Sequence, residues 1–335
     1  LSDTGVYVHV PFCRKRCPYC AFVLIESDGS LHDRFTDKIC GQIRASAPEA
    51  RTLYFGGGTP SMLGAAAIGR MVGAVGGRPE EVTVECNPEG LALAGLRAAG
   101  VTRITLGIQA LDDALLKTLG REHDADGARK AWHTAAAEFD NICVDLIFGV
   151  PGQSRDGWRR TLDEVRSWSP AHVSLYGLTY EMGTPFEKRR DRLPEELEKG
   201  MYEDAMDRLE GYHHYEISNW ARPGFESSHN RAYWEGRPYR GFGPGAHSFE
   251  GLERWWNVAN VREWLDRDNP VAGRETLTPE QIRIERLLLG LRQDRGVDLP
   301  SIPAGLESFL ERADGRVRLT RAGKCVADSV IAKLI

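Results

Sequence analysis

Short apolar runs alternate with longer stretches in which apolar residues recur every three or four positions, and the two periods divide the first half of the chain into repeating units. Residues 6–10, 51–55, 82–86, 103–107, 142–148 and 172–176 read as strands. Residues 31–47, 65–75, 91–99, 127–137 and 156–167 read as helices between them. Six units of this kind predict an α/β fold with a parallel sheet covered by helices, either a partial barrel or an open doubly wound sheet. In both, ligands gather at the carboxyl ends of the strands.

The second half changes style. Residues 193–209 read as a polar helix, and 215–220, containing EISNW, as an edge strand. Residues 221–249 are dense in Gly, Pro and aromatics, which predicts a packed functional loop without regular secondary structure. The tail reads as helices over 280–290 and 307–311, a short strand over 316–319 and a final helix over 321–334. It is similar to a winged-helix module. The expected organisation is a barrel over 1–215, an aromatic and glycine-rich segment over 216–277 and the winged-helix-like module over 278–335.

Composition narrows the function classes. With 335 residues the chain buries a large core, and 43 Lys and Arg against 48 Asp and Glu give no global electrostatic case for nucleic acid. The last helix offers Arg321, Lys324 and Lys333 interleaved with Asp328 and apolar residues, which suits packing or a lid better than a groove. The chain has no run of 18 apolar residues and no charged-then-apolar leader, so neither a membrane span nor a secretion signal is expected. The expected place is the cytoplasm, with peripheral membrane contact open.

Of seven cysteines, Cys13, Cys17 and Cys20 share one loop, YVHVPFCRKRCPYCAF. An odd count with three clustered thiols argues for a reducing compartment and metal chemistry over a disulfide framework. The spacing C-x3-C-x2-C supplies three ligands to an iron-sulfur cube and leaves one iron open. Structural zinc with a distant fourth ligand, or free thiols, also fits the spacing. Arg14, Lys15 and Arg16 suit a bound anion or solvent equally. Cys40, Cys86, Cys143 and Cys325 read as core packing. The loop Gly56-Gly57-Gly58-Thr59-Pro60 follows an apolar strand and lacks the G-x-G-x-x-G spacing of a dinucleotide fingerprint. Its backbone can approach a ligand closely. Glu85, Gln109, Arg121 and Asp145 all stand at or just beyond predicted strand ends.

The cysteine loop, the GGGTP turn and the run His229-Asn230-Arg231-Ala232-Tyr233-Trp234 together resemble radical S-adenosylmethionine enzymes. More narrowly they are similar to the oxygen-independent coproporphyrinogen III oxidase-like family, in its heme chaperone branch. The resemblance covers nearly the whole chain and implies a partial (β/α)6 TIM-like barrel with a smaller C-terminal α+β region. It implies a [4Fe-4S] cluster on Cys13, Cys17 and Cys20, whose open iron is chelated by S-adenosylmethionine. One electron from that cluster cleaves the sulfonium to methionine and a 5'-deoxyadenosyl radical. It assigns Arg121 to the methionine carboxylate, Glu85 to the amine, Asp145 to ribose and Gln109 to a supporting hydrogen bond. It places Tyr7 at the cluster or methionine end, Tyr19 by the adenine, and Gly57, Gly58 and Thr59 at the methionine amino group.

In the heme chaperone branch, the H-N-x-x-Y-W run implies heme as a further ligand, with His229 or His247 as candidate axial ligands and Asn230, Tyr233 and Trp234 beside it. Partners implied are a heme-acceptor protein and an electron donor such as flavodoxin or ferredoxin. Many members of the branch carry Cys where this chain has Ser227, which offers no thiolate. The loop also ends Cys20-Ala21-Phe22, without the C-x-C pattern of the oxidase branch. Porphyrinogen decarboxylation and methyl transfer remain the alternative readings.

Overall fold

The computed structural model describes residues 3–27, 29–46 and 48–335. The alternating pattern becomes six parallel strands: β1 (Gly5–Val10), β2 (Thr52–Gly57), β3 (Glu81–Cys86), β4 (Arg103–Gln109), β5 (Ile142–Phe148) and β6 (His172–Gly177). They pair in chain order. Beyond β6 lies the antiparallel hairpin of β7 (His213–Glu216) and β8 (Asn219–Ala221). On the other edge β9 (Tyr239–Phe242) adds parallel to β1, followed by an antiparallel meander of β10 (His247–Glu250), β11 (Glu253–Asn257) and β12 (Val271–Thr276). The twelve strands form one sheet, β12-β11-β10-β9-β1-β2-β3-β4-β5-β6-β8-β7, a barrel that does not close.

Its two faces have opposite chemistry. Val6, Val8, Leu53, Phe55, Val84, Ile104, Leu106, Val144, Leu146, Val173 and Leu175 are buried on the outer face. Helices α1 (His32–Ser46), α2 (Gly64–Val72), α4 (Ala125–Ala136), α5 (Arg155–Ser167) and α6 (Glu195–Arg208) contribute apolar residues to the same core. Because side chains alternate along a strand, the other face carries Tyr7, His9, Thr52, Tyr54, Glu81, Glu85, Arg103, Cys143, Asp145, His172 and Ser174, a polar lumen.

Several expectations change. Residues 91–99 form turns, since Gly95 adopts a φ of 84° and breaks the helical path. The short helix α3 (Asp113–Thr118), capped by Asp112, was not expected. Helix 31–47 is found as His32–Ser46, and its expected last residue, Ala47, lies outside the described residues. The strand 215–220 is instead a hairpin, turned where Glu216 accepts from the Ser218 amide at 2.9 Å. The expected irregular segment 221–249 holds α7 (Ser228–Trp234), β9 and β10. There, β1 offers a free edge for pairing, and Ser227 caps α7.

After α8 (Val261–Asp266), the C-terminal region runs α9 (Pro279–Leu291), a hairpin of β13 (Leu310–Ala313) and β14 (Arg316–Leu319), α10 (Arg321–Lys324) and α11 (Ala327–Ala332). This smaller α+β region has its own core of Leu287, Leu291, Val317, Val330 and Ile331. Residues 307–311 are not a helix, because the Asp314-Gly315 turn folds Leu310–Ala313 back onto β14. The final helix is broken at Val326, whose ψ of 32° is non-helical.

Candidate cofactor site

The cysteine loop leaves the carboxyl end of β1 and is tied back on itself. Phe12–Cys13 pairs with Ile25–Glu26. Arg16 donates to the carbonyls of Cys20 and Phe22, each at 3.2 Å, and of Leu24 at 2.7 Å. Arg16 is therefore spent on the loop and is not free for an anion. His9 Nε2 meets the Val23 carbonyl at 2.6 Å, with Tyr7 Oη 2.9 Å from His9 Nδ1. Burial pushes the Cys13 thiol up to about 11 and raises that of Cys20, so metal binding there must displace protons. Among the described residues, no three or more His, Cys, Asp or Glu side chains gather as a cage for a single metal ion.

A polar belt runs beneath the thiols. Cys13 Sγ lies 3.5 Å from Thr59 Oγ1, which accepts from Asn87 Nδ2 at 3.0 Å. Asn87 Oδ1 accepts from Arg121 Nη2 at 2.8 Å, and Arg121 Nη1 reaches Cys17 Sγ at 3.7 Å. Glu89, 3.3 Å from Arg121, also holds His123 at 2.8 Å. The Arg121 side chain is 6% exposed, yet its Nε has no protein partner. A buried donor left open beside three thiols suits an anionic ligand group.

The belt borders a cavity of about 590 Å³ at the carboxyl ends of the strands, lined by Cys17, Tyr19, Cys20, Gly57, Gly58, Glu85, Gln109, Arg121 and Asp145. Glu85 accepts from Tyr54 Oη at 2.8 Å and from the Gly57 amide at 3.1 Å. Burial nevertheless raises its carboxyl to about 7, with nearby Asp145 adding to the shift. Burial likewise lifts Asp145 to about 6, against donors from Cys143, 3.3 Å away, and Ser174. Gln109 sits at a break in the β4–β5 register with a φ of 67°. Tyr19 packs edge-on against Phe186 at 6.1 Å. Tyr7 lies deeper, stacked on Tyr54 at 6.2 Å.

The glycine turn serves packing first. A Cβ on Gly58 would lie 2.5 Å from the Phe12 carbonyl oxygen, and Gly57 has a φ of 112° with the His9 ring in the Cβ position. The Gly58 and Thr59 amides donate to the carbonyls of Val10 and Phe12 at 2.8 and 2.7 Å. With the Gly57 amide on Glu85, all three N–H groups are used within the protein. Close fit of β2 under the cysteine loop explains these residues without a ligand.

The H-N-x-x-Y-W run lies elsewhere. His229 is 2% exposed inside the amino end of the lumen, against Gly5 and Thr52, the first residues of β1 and β2. Its Nδ1 is 2.8 Å from Thr52 Oγ1 and its Nε2 is 3.2 Å from Tyr233 Oη, while burial lowers its pKa to about 3. Glu81 accepts from the Ser228 and His229 amides at 2.9 and 3.1 Å, and Ser227 Oγ accepts from the Asn230 amide at 3.2 Å. Trp234 turns outward to a second cavity of about 510 Å³ shared with Arg286 and Gln293. His247 starts β10, is exposed, and stacks on Trp256 at 5.8 Å. Register places His247, Phe249, Trp256 and Tyr239 on one sheet face. The two candidate histidines differ in exposure, and Tyr233, against the His229 ring, packs edge-on at 4.5 Å on Tyr239, which shares the sheet face of His247.

Tyr54, Asn87 and Tyr176 complete the site and were not singled out from the sequence. Period-two polar positions inside otherwise apolar strands were the signal: Thr52 and Tyr54, Glu81 and Glu85, Cys143 and Asp145, Ser174 and Tyr176.

A barrel open at one side, with three loop cysteines over a polar cavity at its strand ends, defines the class. Residues 7–165 match the Radical SAM superfamily. The chain is 36% identical to the heme chaperone HemW of Mycobacterium tuberculosis, over 99% of this chain and 94% of that one. It is 32% identical to the Bacillus subtilis heme chaperone HemW, over 99% of both chains. The chain belongs to the HemW family of the radical SAM superfamily. In fold it is similar to the Escherichia coli coproporphyrinogen III oxidase HemN, with a TM-score of 0.84, 20% identity, and coverage of 99% of this chain and 90% of that one. Family membership implies S-adenosylmethionine and an iron-sulfur cluster as cofactors. No helix among the described residues is long and apolar enough to cross a membrane.

Proposed function

We propose that the protein is a heme chaperone that binds a [4Fe-4S] cluster, S-adenosylmethionine and heme and delivers heme to an acceptor protein. The observation that carries this reading is the similarity to the heme chaperone of M. tuberculosis along 99% of the chain. Cys13, Cys17 and Cys20 hold the cluster, which with S-adenosylmethionine supplies one-electron chemistry when bound. Arg121, whose Nε is unpartnered, takes the methionine carboxylate. Glu85 takes the amine and Asp145 the ribose, with Gln109 supporting and Tyr19 beside the adenine; all five line the cavity.

Heme would be held beside the meander strands β10 and β11, with His247 as the residue that would ligate it. His247 is exposed, whereas both ring nitrogens of His229 are engaged inside the lumen. The acceptor protein and an electron donor of flavodoxin or ferredoxin type act from outside, and the region over 278–335 has a core of its own while Lys324 and Arg321 tie it to His214 and Asp207. A second reading, an enzyme acting on a porphyrin, rests on Phe22 and Tyr176, which line the cavity while 62% and 43% exposed and could wall a flat apolar substrate.

An anaerobic heme titration of cluster-reconstituted protein tests the proposal. Saturable binding is expected, with an altered Soret band in His247→Ala and retained saturation in His229→Ala. Absence of saturable binding would overturn the chaperone reading and favour substrate turnover, read as 5'-deoxyadenosine release with a porphyrinogen.

A further inference from the structure

Tyr54 contributes no atom to a cofactor in the reading above, yet everything around it is arranged to hold it still. Its hydroxyl donates to Glu85 Oε1 at 2.8 Å. Its ring contacts two others, stacked on Tyr7 at 6.2 Å and 28° and on His229 at 5.1 Å and 23°. Gly56 makes room for the arrangement, because a Cβ there would lie 2.9 Å from the Tyr54 ring, 3.1 Å from Glu85 and 3.1 Å from Tyr7. His229 is fixed in turn by Thr52 and Tyr233, and the start of α7 is fixed by Glu81. A continuous set of contacts therefore runs from α7 at one end of the lumen to Glu85 at the other.

We propose that Tyr54 and His229 are positioning residues for Glu85, so that the seating of α7 in the lumen sets how Glu85 receives the amine of S-adenosylmethionine. The proposal rests on the reading of Glu85 as the amine's acceptor. It gives His229 a task that its buried position allows. Glu85 has two carboxylate oxygens and two protein donors, Tyr54 on one and the Gly57 amide on the other, and these fix the plane of the carboxylate. A ligand amine then meets an acceptor already oriented. Rotation of the Tyr54 ring would leave Oε1 without its donor, and the His229 ring stacked on it blocks that rotation.

The titratable groups facing Glu85 are Tyr54 on β2, Tyr7 on β1 and Asp145 on β5, with Cys86 next to it on its own strand. Of these, Tyr54 is the donor that holds Glu85 down against burial. Removing its hydroxyl raises the Glu85 carboxyl further, and an amine that needs the carboxylate then binds only at higher pH.

The test is equilibrium dialysis of S-adenosylmethionine against anaerobically reconstituted protein, repeated on both sides of pH 7. Tyr54→Phe keeps the ring and loses the donor; affinity is expected to fall roughly fivefold to tenfold, with the pH midpoint of binding moved upward. His229→Ala is expected to change both in the same direction. His229→Phe, which keeps a stacked ring, should recover most of the loss and also carries the test if the alanine variant fails to fold. Wild-type affinity and midpoint in Tyr54→Phe, alongside weakened binding in Glu85→Gln, would overturn the positioning role and leave Glu85 in place. Unchanged binding in Glu85→Gln as well would remove Glu85 from the amine and the proposal with it.

Discussion

Glu81 and Glu85 stand on the same face of β3, pointing into the same lumen, and have opposite surroundings. The Glu81 carboxylate is taken up by α7: the Ser227 hydroxyl at 3.3 Å and the Ser228 and His229 amides at 2.9 and 3.1 Å. Fully buried Arg103 on the neighbouring strand is close enough to feel its charge, and the Arg103 Nε and Nη1 have no hydrogen-bond partner in the protein. Glu85 has two donors, Asp145 nearby, and a carboxyl raised to about 7. At the amino end the chain itself supplies the partners of the Glu81 carboxylate, while at the carboxyl end Glu85 lines a cavity. A buried acid that is fully satisfied reads as structure, and one held above its ordinary range beside a cavity reads as a site.

The contrast breaks most directly at Glu81. Glu81→Ala leaves the Ser227 hydroxyl and the Ser228 and His229 amides buried without their acceptor, so unfolding in urea should show a loss of roughly 3 kcal/mol, the upper end for hydrogen bonds to a charged group. A loss below about 1 kcal/mol, as for a surface pair, would show that the amino end is no more tightly held than the exterior.

Glu85 should show the reverse behaviour with pH. Its folded-state carboxyl, about 7, lies above the ordinary value of 4.5, so between those pH values the folded chain binds more protons than the unfolded one. Stability in the absence of ligand therefore falls as pH rises through that window, by up to ~3 kcal/mol once it is crossed. Glu85→Gln removes the decline. Unfolding midpoints of the two proteins should coincide near pH 4.5 and separate above 7, with the variant the more stable. Parallel curves across the window would mean that Glu85 is as well solvated as a surface acid.

At the opposite side of the cavity, Arg121→Gln sharpens the comparison by removing the cation with the open Nε. Affinity for S-adenosylmethionine should drop roughly 30- to 100-fold, about 2–3 kcal/mol for a hydrogen-bonded charge. Iron content, measured on the same reconstituted samples, should fall less, because Arg121 touches only Cys17 among the thiols.

The parts of this arrangement that were legible beforehand depend on local pattern. Strand periodicity located β1 to β6, and the cysteine spacing located the loop, because both are written within a few neighbouring residues. The β9 edge and α7 were hidden for the opposite reason. Tyr239–Phe242 becomes a strand only because β1 has a free side, and α7 starts where it does because Ser227 meets Glu81 across 146 positions of sequence. The glycine turn carries two demands that the sequence does not separate. Gly57 and Gly58 line the cavity, as a close approach of backbone to a ligand asks, and contact with His9 and Phe12 already requires glycine there. His229 was conspicuous in the sequence, and helical spacing connects it to Tyr233, but its burial depends also on Thr52 and Tyr54, which no spacing rule connects to it.

The smallest effect concerns the position where many relatives of the heme chaperone branch carry cysteine. Ser227 is fully buried, and its hydroxyl both caps α7 through the Asn230 amide and donates to Glu81. Ser227→Cys exchanges a good hydrogen-bonding group for a weak one in the same volume, so the cap should weaken by about 1 kcal/mol, measurable as a small shift of the urea midpoint. The new thiol stays behind α7, away from the cavity and from the face that carries His247. Heme affinity and the Soret band should therefore match the wild type, and a thiol reagent should label the native variant no faster than the wild type. A thiol at 227 that reacts readily in the folded protein, or that changes the heme spectrum, would show that α7 leaves the lumen, and the amino end would then share the openness assigned to the carboxyl end.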